Sequence, residues 1–168
     1  PATFVGHPVI ESGAQLGNGL KFREKYHIPS EVPLLAVLPG SRRGEVQRLI
    51  KPFGDTVNLL AKLIPDLQVV IPTSVDLYES IDKVTKKWDV PIYIILGKEN
   101  KFDSFVASHA ALAASGTVTL ELAISGVPMV TAYRLNPLTW GIVSRIVYAK
   151  YINLINIISN KLIIPELI

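Results

Sequence analysis

The sequence predicts an α/β domain, with a parallel sheet flanked by helices. Two observations carry this expectation. Short apolar runs alternate along the chain with longer amphipathic ones. The short runs are also apolar at successive positions instead of every second one, as in strands covered on both faces. With 168 residues, 49% of them hydrophobic and 18% charged, the chain can bury one sizeable core and is too apolar for disorder.

Residues 1–30, with Gly6, Pro8, Gly13, Gly17 and Gly19, read as a connector into the sheet domain. Residues 31–135 read as that domain. "PLLAVLPG" (33–40) is a strand stopped by Pro-Gly. "GEVQRLIKPFGDTVNLLAKLIP" (44–65) is a helix with Val46, Leu49, Ile50, Phe53, Val57, Leu60 and Ile64 along one side. Pro52 within it predicts a kink or a new first turn. "LQVVIPT" is a second strand, "VDLYESIDKVTKKWD" a solvated amphipathic helix and "PIYIIL" a third strand. A short helix "FDSFVASH", a strand "AALAAS", a helix "TVTLELAISG" ended by Gly126 and a fifth strand "PMVTAYR" follow. Residues 136–168 read as a helix starting near Asn136-Pro137 and an Ile/Asn-rich tail that completes the domain.

Composition excludes several classes of function. There is no cysteine, so disulfides and thiolate metal sites are out. His7, His27 and His109 are isolated and read as structural, not as a metal cluster. The formal net charge is +3 and the pI about 9.2, a weak pointer to anionic partners such as phosphates or acidic lipid. No basic run interleaved with aromatics suggests nucleic-acid binding. A mean hydropathy of +0.35 is high for a soluble domain. From Ala110 to Tyr133 the only charge is Glu121, yet Gly116, Gly126 and Pro128 interrupt this run. A carboxylate at mid-membrane costs about 2.5 kcal/mol or more. A strand, helix and strand crossing a core explain the same residues without that cost.

Ligands of open parallel sheets bind where strands end and helices begin, and two such junctions carry suitable groups. In "LPGSRRGEV", Gly40 permits a turn, Ser41 offers a hydroxyl, and Arg42 and Arg43 offer planar forks for phosphate oxygens. A plain solvated turn is the alternative. In "AASGTVTLE", first-turn amides and the helix dipole suit an anion, Ser115 and Thr117 add hydroxyls, and Gly116 removes an obstructing Cβ. Here the alternative is an ordinary cap at Ser115. Glu121 does not fit a capping box, because position 118 is Val. A carboxylate in such apolar company needs a partner: sugar hydroxyls, or an ion pair with Arg42, Arg43 or Arg134. Together these groups describe a nucleoside diphosphate site. Neither a GxGxxG fingerprint nor a Walker lysine loop is present, which argues against NAD-binding and P-loop readings.

"FVGHPVIES", "LPGSRRGEV", "ASGTVTLELAISGVPMVTAYRLNPLT" and "YINLINIIS…IIPELI" occur in this order and spacing across essentially the whole chain. In them the sequence resembles the lipid-A-disaccharide synthase family. The "PGSR" and "SGT-(x)3-E" elements are shared with related glycosyltransferases, whereas the "AYRLNPLT…NLINII" tail is more specific to this family. The resemblance implies the GT-B architecture, two Rossmann-like domains facing a cleft, of which this chain is the C-terminal, donor-nucleotide half. It implies an inverting transfer of 2,3-diacylglucosamine from UDP to 2,3-diacylglucosamine 1-phosphate (lipid X), without metal or other cofactor. It assigns the diphosphate to Gly40, Ser41, Arg42, Ser115, Gly116 and Thr117, and the ribose to Glu121. Arg42, Glu121 and Asn156 are its residues needed for activity. The general base is assigned to the N-terminal half, so this chain alone is expected to bind the nucleotide sugar weakly and not to turn over.

Departures from the family pattern are Asn153, where Ser or Thr is usual, and Ser159-Asn160, where Ala-Gly is common. The acylated substrates imply a peripheral site on the cytoplasmic face of a Gram-negative inner membrane. "LTWGIVSRIVYAKY", with Trp140, Tyr148 and Tyr151 beside Arg145 and Lys150, suits such an interface or an ordinary docking helix. Some members exchange a C-terminal segment between subunits, which leaves a homodimer open for the longer protein. The competing readings are a UDP-GlcNAc enzyme (peptidoglycan glucosaminyltransferase or 2-epimerase type) and a non-catalytic nucleotide-binding module.

Overall fold

A computed structural model describes residues 8–134 and 150–167. Its centre is a six-stranded, all-parallel sheet in the order β3-β2-β1-β4-β5-β6. The strands are β1 (Leu34–Leu38), β2 (Gln68–Thr73), β3 (Ile92–Leu96), β4 (Ala110–Ala114), β5 (Met129–Ala132) and β6 (Glu166–Leu167). The helices are α1 (Gly19–Lys25), α2 (Arg43–Ala61), α3 (Val75–Thr85), α4 (Lys98–Ala107), α5 (Thr117–Ile124) and α6 (Leu154–Ser159). The expected α/β class and the five expected strands are present, and β6 adds a sixth.

Consecutive residues of the inner strands feed opposite faces, which explains their unbroken apolar character. Leu34, Ala36 and Leu38 join Phe22, Phe102, Phe105 and Leu122 under α1, α4 and α5. Leu35 and Val37 join Val46, Leu49, Phe53, Val57, Leu77, Ile81 and Trp88 under α2 and α3. The apolar side read from the α2 sequence is therefore the side that faces the sheet. That helix runs through Pro52 without a break. Pro52 supplies no N–H to the Arg48 carbonyl, and one turn on the Thr56 Oγ1 donates to the Pro52 carbonyl at 2.9 Å. The expected restart at Pro52 does not occur.

Residues 14–28 pack against the sheet domain, with Ala14, Phe22 and Ile28 in its core. Asn18 caps α1 by accepting from the Lys21 N–H at 3.0 Å. Gly17 and Gly19 let α1 lie against α4, since a Cβ at either position would overlap backbone atoms between Phe102 and Ala107. Arg23 is buried, and its guanidinium donates to the carbonyls of Pro29, Val32 and Ala107, tying α1 to the start of β1 and the end of α4. Burial pushes its pKa down, while the nearby Glu31 charge raises it. His109 is structural as expected: its Nδ1 accepts from the Leu34 N–H at 3.1 Å. His27 is exposed with φ of 53°, and His7 lies outside the described residues.

The apolar stretch around Glu121 resolves into β4, α5 and β5. Among the described residues no helix is long and apolar enough to cross a membrane. The helix expected from Asn136-Pro137, with Trp140, Arg145 and Tyr148, falls outside the described residues. Tyr151 and Lys150 are described, and the Lys150 ammonium sits 5.2 Å from the centre of the Tyr151 ring.

Candidate functional site

The strand order places a topological switch point between β1 and β4. From β1 the chain proceeds outward through β2 to β3; α4 then returns it to β4, and β5 and β6 extend the opposite side. Neighbouring strands whose connections diverge leave a crevice at their carboxyl ends. Leu38 pairs with Ala113, so the Gly40–Arg42 loop and the Ser115–Thr117 loop leave the sheet side by side at that crevice. The two junctions picked out in the sequence are thus brought together.

The first junction is held from within. Gly40 has φ of +126°, a conformation that disfavours any side chain, and a Cβ there would lie 2.6 Å from the Glu45 Cβ. Glu45 is the third residue of α2, and its Oε2 accepts from the Ser41 N–H at 3.0 Å and the Arg42 N–H at 3.3 Å. Its carboxylate therefore occupies the amides of this loop. Arg42 also reaches Glu45 Oε1 at 3.4 Å, but its side chain is 84% exposed. Ion pairs this exposed contribute little, so the guanidinium is available to another anion. Arg43 is likewise exposed.

The second junction is open. The cap of α5 is Gly116, not Ser115, and no side chain caps the helix. The Ser115 N–H donates to the Ala132 carbonyl at 3.2 Å, continuing the sheet. Thr119 turns its hydroxyl back to the Gly116 carbonyl at 2.7 Å. Gly116 is extended (φ 167°), and a Cβ there would meet nothing within 4 Å. Neither backbone conformation nor internal packing requires glycine at this position. The ordinary cap at Ser115 is therefore not what the structure holds. An uncapped first turn keeps its amide donors and the positive end of its dipole for an anion.

Glu121 lies one turn further along α5 and is partly buried. Its ion-pair partner is Lys101 of α4, not Arg42, Arg43 or Arg134: Lys101 Nζ donates to Oε2 at 2.5 Å. Sequence reasoning missed Lys101 because α4 begins at Lys98, a turn before the expected start at Phe102. Glu45 was missed too, although an acidic residue in a first helical turn is a recognised signal.

Asn156 stands apart from the crevice in its bonding. It is fully buried and its amide is committed within the chain. Nδ2 donates to the Ile164 carbonyl at 2.7 Å and to Glu166 Oε1 at 2.5 Å, while Oδ1 accepts from the N–H groups of Ile163 and Ile164. Glu166 also accepts from the N–H groups of Ile152 and Asn153. Burial raises the Glu166 pKa, but the bonds from Ile152, Asn156 and Asn153 outweigh it and leave the carboxyl below its ordinary value. The geometry makes Asn156 a clip that folds the tail so that β6 can join β5. Concavities of 310 Å³ beside Tyr78 and Trp88 and of 500 Å³ beside Leu20 and His27 share no residue with either junction.

The family model described as Lipid-A-disaccharide synthetase matches residues 1–168. This chain belongs to that family. It is 48% identical over its whole length to a lipid-A-disaccharide synthase of Rhodospirillum centenum, and 43% identical over 98% of its length to one of Paramagnetospirillum magneticum. In both cases it spans 42% of the relative's length. Among solved structures, a family 9 glycosyl transferase from Veillonella parvula aligns with 72% of this chain and 35% of its own, with TM-score 0.57 and 14% identity. The UDP-GlcNAc 2-epimerase of Neisseria meningitidis, bound to UDP-GlcNAc, aligns with 84% of this chain and 39% of its own, with TM-score 0.54 and 19% identity. The family resemblance drawn from the motifs is thus confirmed, and the α/β fold with its parallel sheet flanked by helices is shared with these solved structures.

Proposed function

We propose that this chain forms the donor-nucleotide half of a lipid A glycosyltransferase. The observation that carries the proposal is the uncapped first turn of α5 at the switch-point crevice, with the exposed Arg42 in the neighbouring loop. In this reading the diphosphate of a UDP-sugar meets the α5 amides and the Ser115 and Thr117 hydroxyls, and Arg42 grips it from the other side. Glu45 already occupies the amides of the Gly40–Arg42 loop, so that loop contributes Arg42 and its shape. Glu121 accepts from the ribose hydroxyls. The departing UDP gains negative charge during transfer, and donors fixed in advance stabilise it without reorganisation.

Membership of the family supports 2,3-diacylglucosamine as the sugar and lipid X as the acceptor, with inversion at the anomeric carbon. A UDP-sugar is also the ligand held by one protein of the same fold. The acceptor-activating base is assigned to the preceding half of the longer protein, and the acylated substrates favour peripheral contact with a membrane. The role of Asn156 in activity is indirect in this account: it fixes the tail.

Calorimetric titration of the chain with UDP and 2′-deoxy-UDP tests the proposal. Arg42→Ala should weaken UDP binding about tenfold, the loss of one charge-assisted contact. Gly116→Val should abolish it while the fold persists. Glu121→Gln should erase the preference for UDP over its 2′-deoxy form. UDP binding indifferent to all three changes would overturn the site.

A further inference from the structure

We infer that Lys101 is a positioning residue of the donor site, set there to make Glu121 compatible with a neighbouring diphosphate. The inference rests on the donor-site reading above and deepens it. A carboxylate suits ribose hydroxyls, but one helical turn spans only about 5 Å. A bound diphosphate at the α5 mouth would therefore face the Glu121 charge at short range in a partly desolvated crevice, where like charges repel far more strongly than in water. Lys101 Nζ sits 2.5 Å from Glu121 Oε2 and the two side chains are only 27% and 16% exposed, so the pair is screened little by solvent.

Two further observations argue that Lys101 is held in place instead of ranging through solvent. Its ammonium lies 5.3 Å from the centre of the Phe102 ring and 5.7 Å from that of Phe105, close enough for cation–π attraction. Phe105 is fully buried in the core, so this platform is rigid. The bond to Lys101 uses Oε2 of Glu121, and no described hydrogen bond uses Oε1. The lysine thus fixes the rotamer, neutralises the charge and leaves an acceptor for a hydroxyl. A general stabilising ion pair would do none of this selectively. The selective consequence is that Lys101 matters for the phosphates of the ligand more than for its nucleoside.

The readout is the ratio of the uridine to the UDP dissociation constant, measured on the 168-residue chain by titration. Lys101→Met should lower this ratio about tenfold, because an uncompensated Glu121 repels UDP but not uridine. Lys101→Arg should restore it. Glu121→Gln should raise the ratio even as both ligands weaken, since Lys101 is then an unpaired cation beside the diphosphate; this variant carries the test if Lys101→Met fails to fold. A ratio unchanged by Lys101→Met and Glu121→Gln, in a chain whose UDP binding depends on Arg42 and Gly116, would overturn the inference alone. Failure of the unsubstituted chain to bind UDP would overturn the donor-site reading and the inference with it.

Discussion

Gly40 and Gly116 lie in the loops that follow the neighbouring strands β1 and β4 and are glycine for different reasons. At Gly40 the backbone itself demands it, with φ of +126° and Glu45 packed where a Cβ would go. Gly40→Ala should therefore cost about 1–3 kcal/mol, the scale of a residue forced into a sparsely populated conformation. Urea denaturation would show it, and an unchanged midpoint would contradict this account. At Gly116 the backbone is ordinary and the space above it is open, which is why that residue is tested through UDP and not through stability. Asn153 shows the opposite case, a residue that fits imperfectly. Its Oδ1 caps α6 through the Ile155 N–H, yet its buried Nδ2 has no partner. A Ser or Thr at this position would cap without leaving such a donor.

Among the elements, the tail built from α6 and β6 is folded on itself by Asn156 and Glu166 and joined to the sheet by the pairing of β6 with β5. Because the Glu166 pKa is depressed in the folded state, its contribution is fully present above the ordinary carboxyl value of 4.5. It is lost as pH falls through the lower folded value. Amides of Ile152, Asn153 and Ile164 should then lose hydrogen-exchange protection at acid pH before those of β1 do. Glu166→Gln should remove that acid dependence, and uniform loss across the sheet would refute it. The tail was also the element least legible in the sequence. A strand of two residues has no periodicity, and Asn156 is explained by bonds to residues up to ten positions later. The inner strands were legible because burial on both faces leaves unbroken apolar runs such as residues 69–71 of β2. Helix α1 was hidden by Gly17 and Gly19, which resemble loop residues but serve close packing on α4. The start of α4 was hidden by its polar first turn, and Lys101 with it.

For the whole molecule, topology does what local sequence could only suggest. The motifs at 40–42 and 115–117 are some seventy residues apart, and neither is decisive alone. Parallel pairing of β1 with β4 sets them side by side, and divergence of the chain on either side opens the crevice between them. Glu121 belongs to the same place because α5 starts there, and α4 delivers Lys101 to it from the opposite half of the sheet. The central claim is that the diphosphate lies at the mouth of α5. Amide NMR of the chain during titration with UDP and then uridine tests this most directly. The account predicts shifts of the Gly116, Thr117 and Val118 amides that UDP produces and uridine does not. Phosphate-dependent shifts confined to other regions, such as the concavity beside Tyr78 and Trp88, would contradict it.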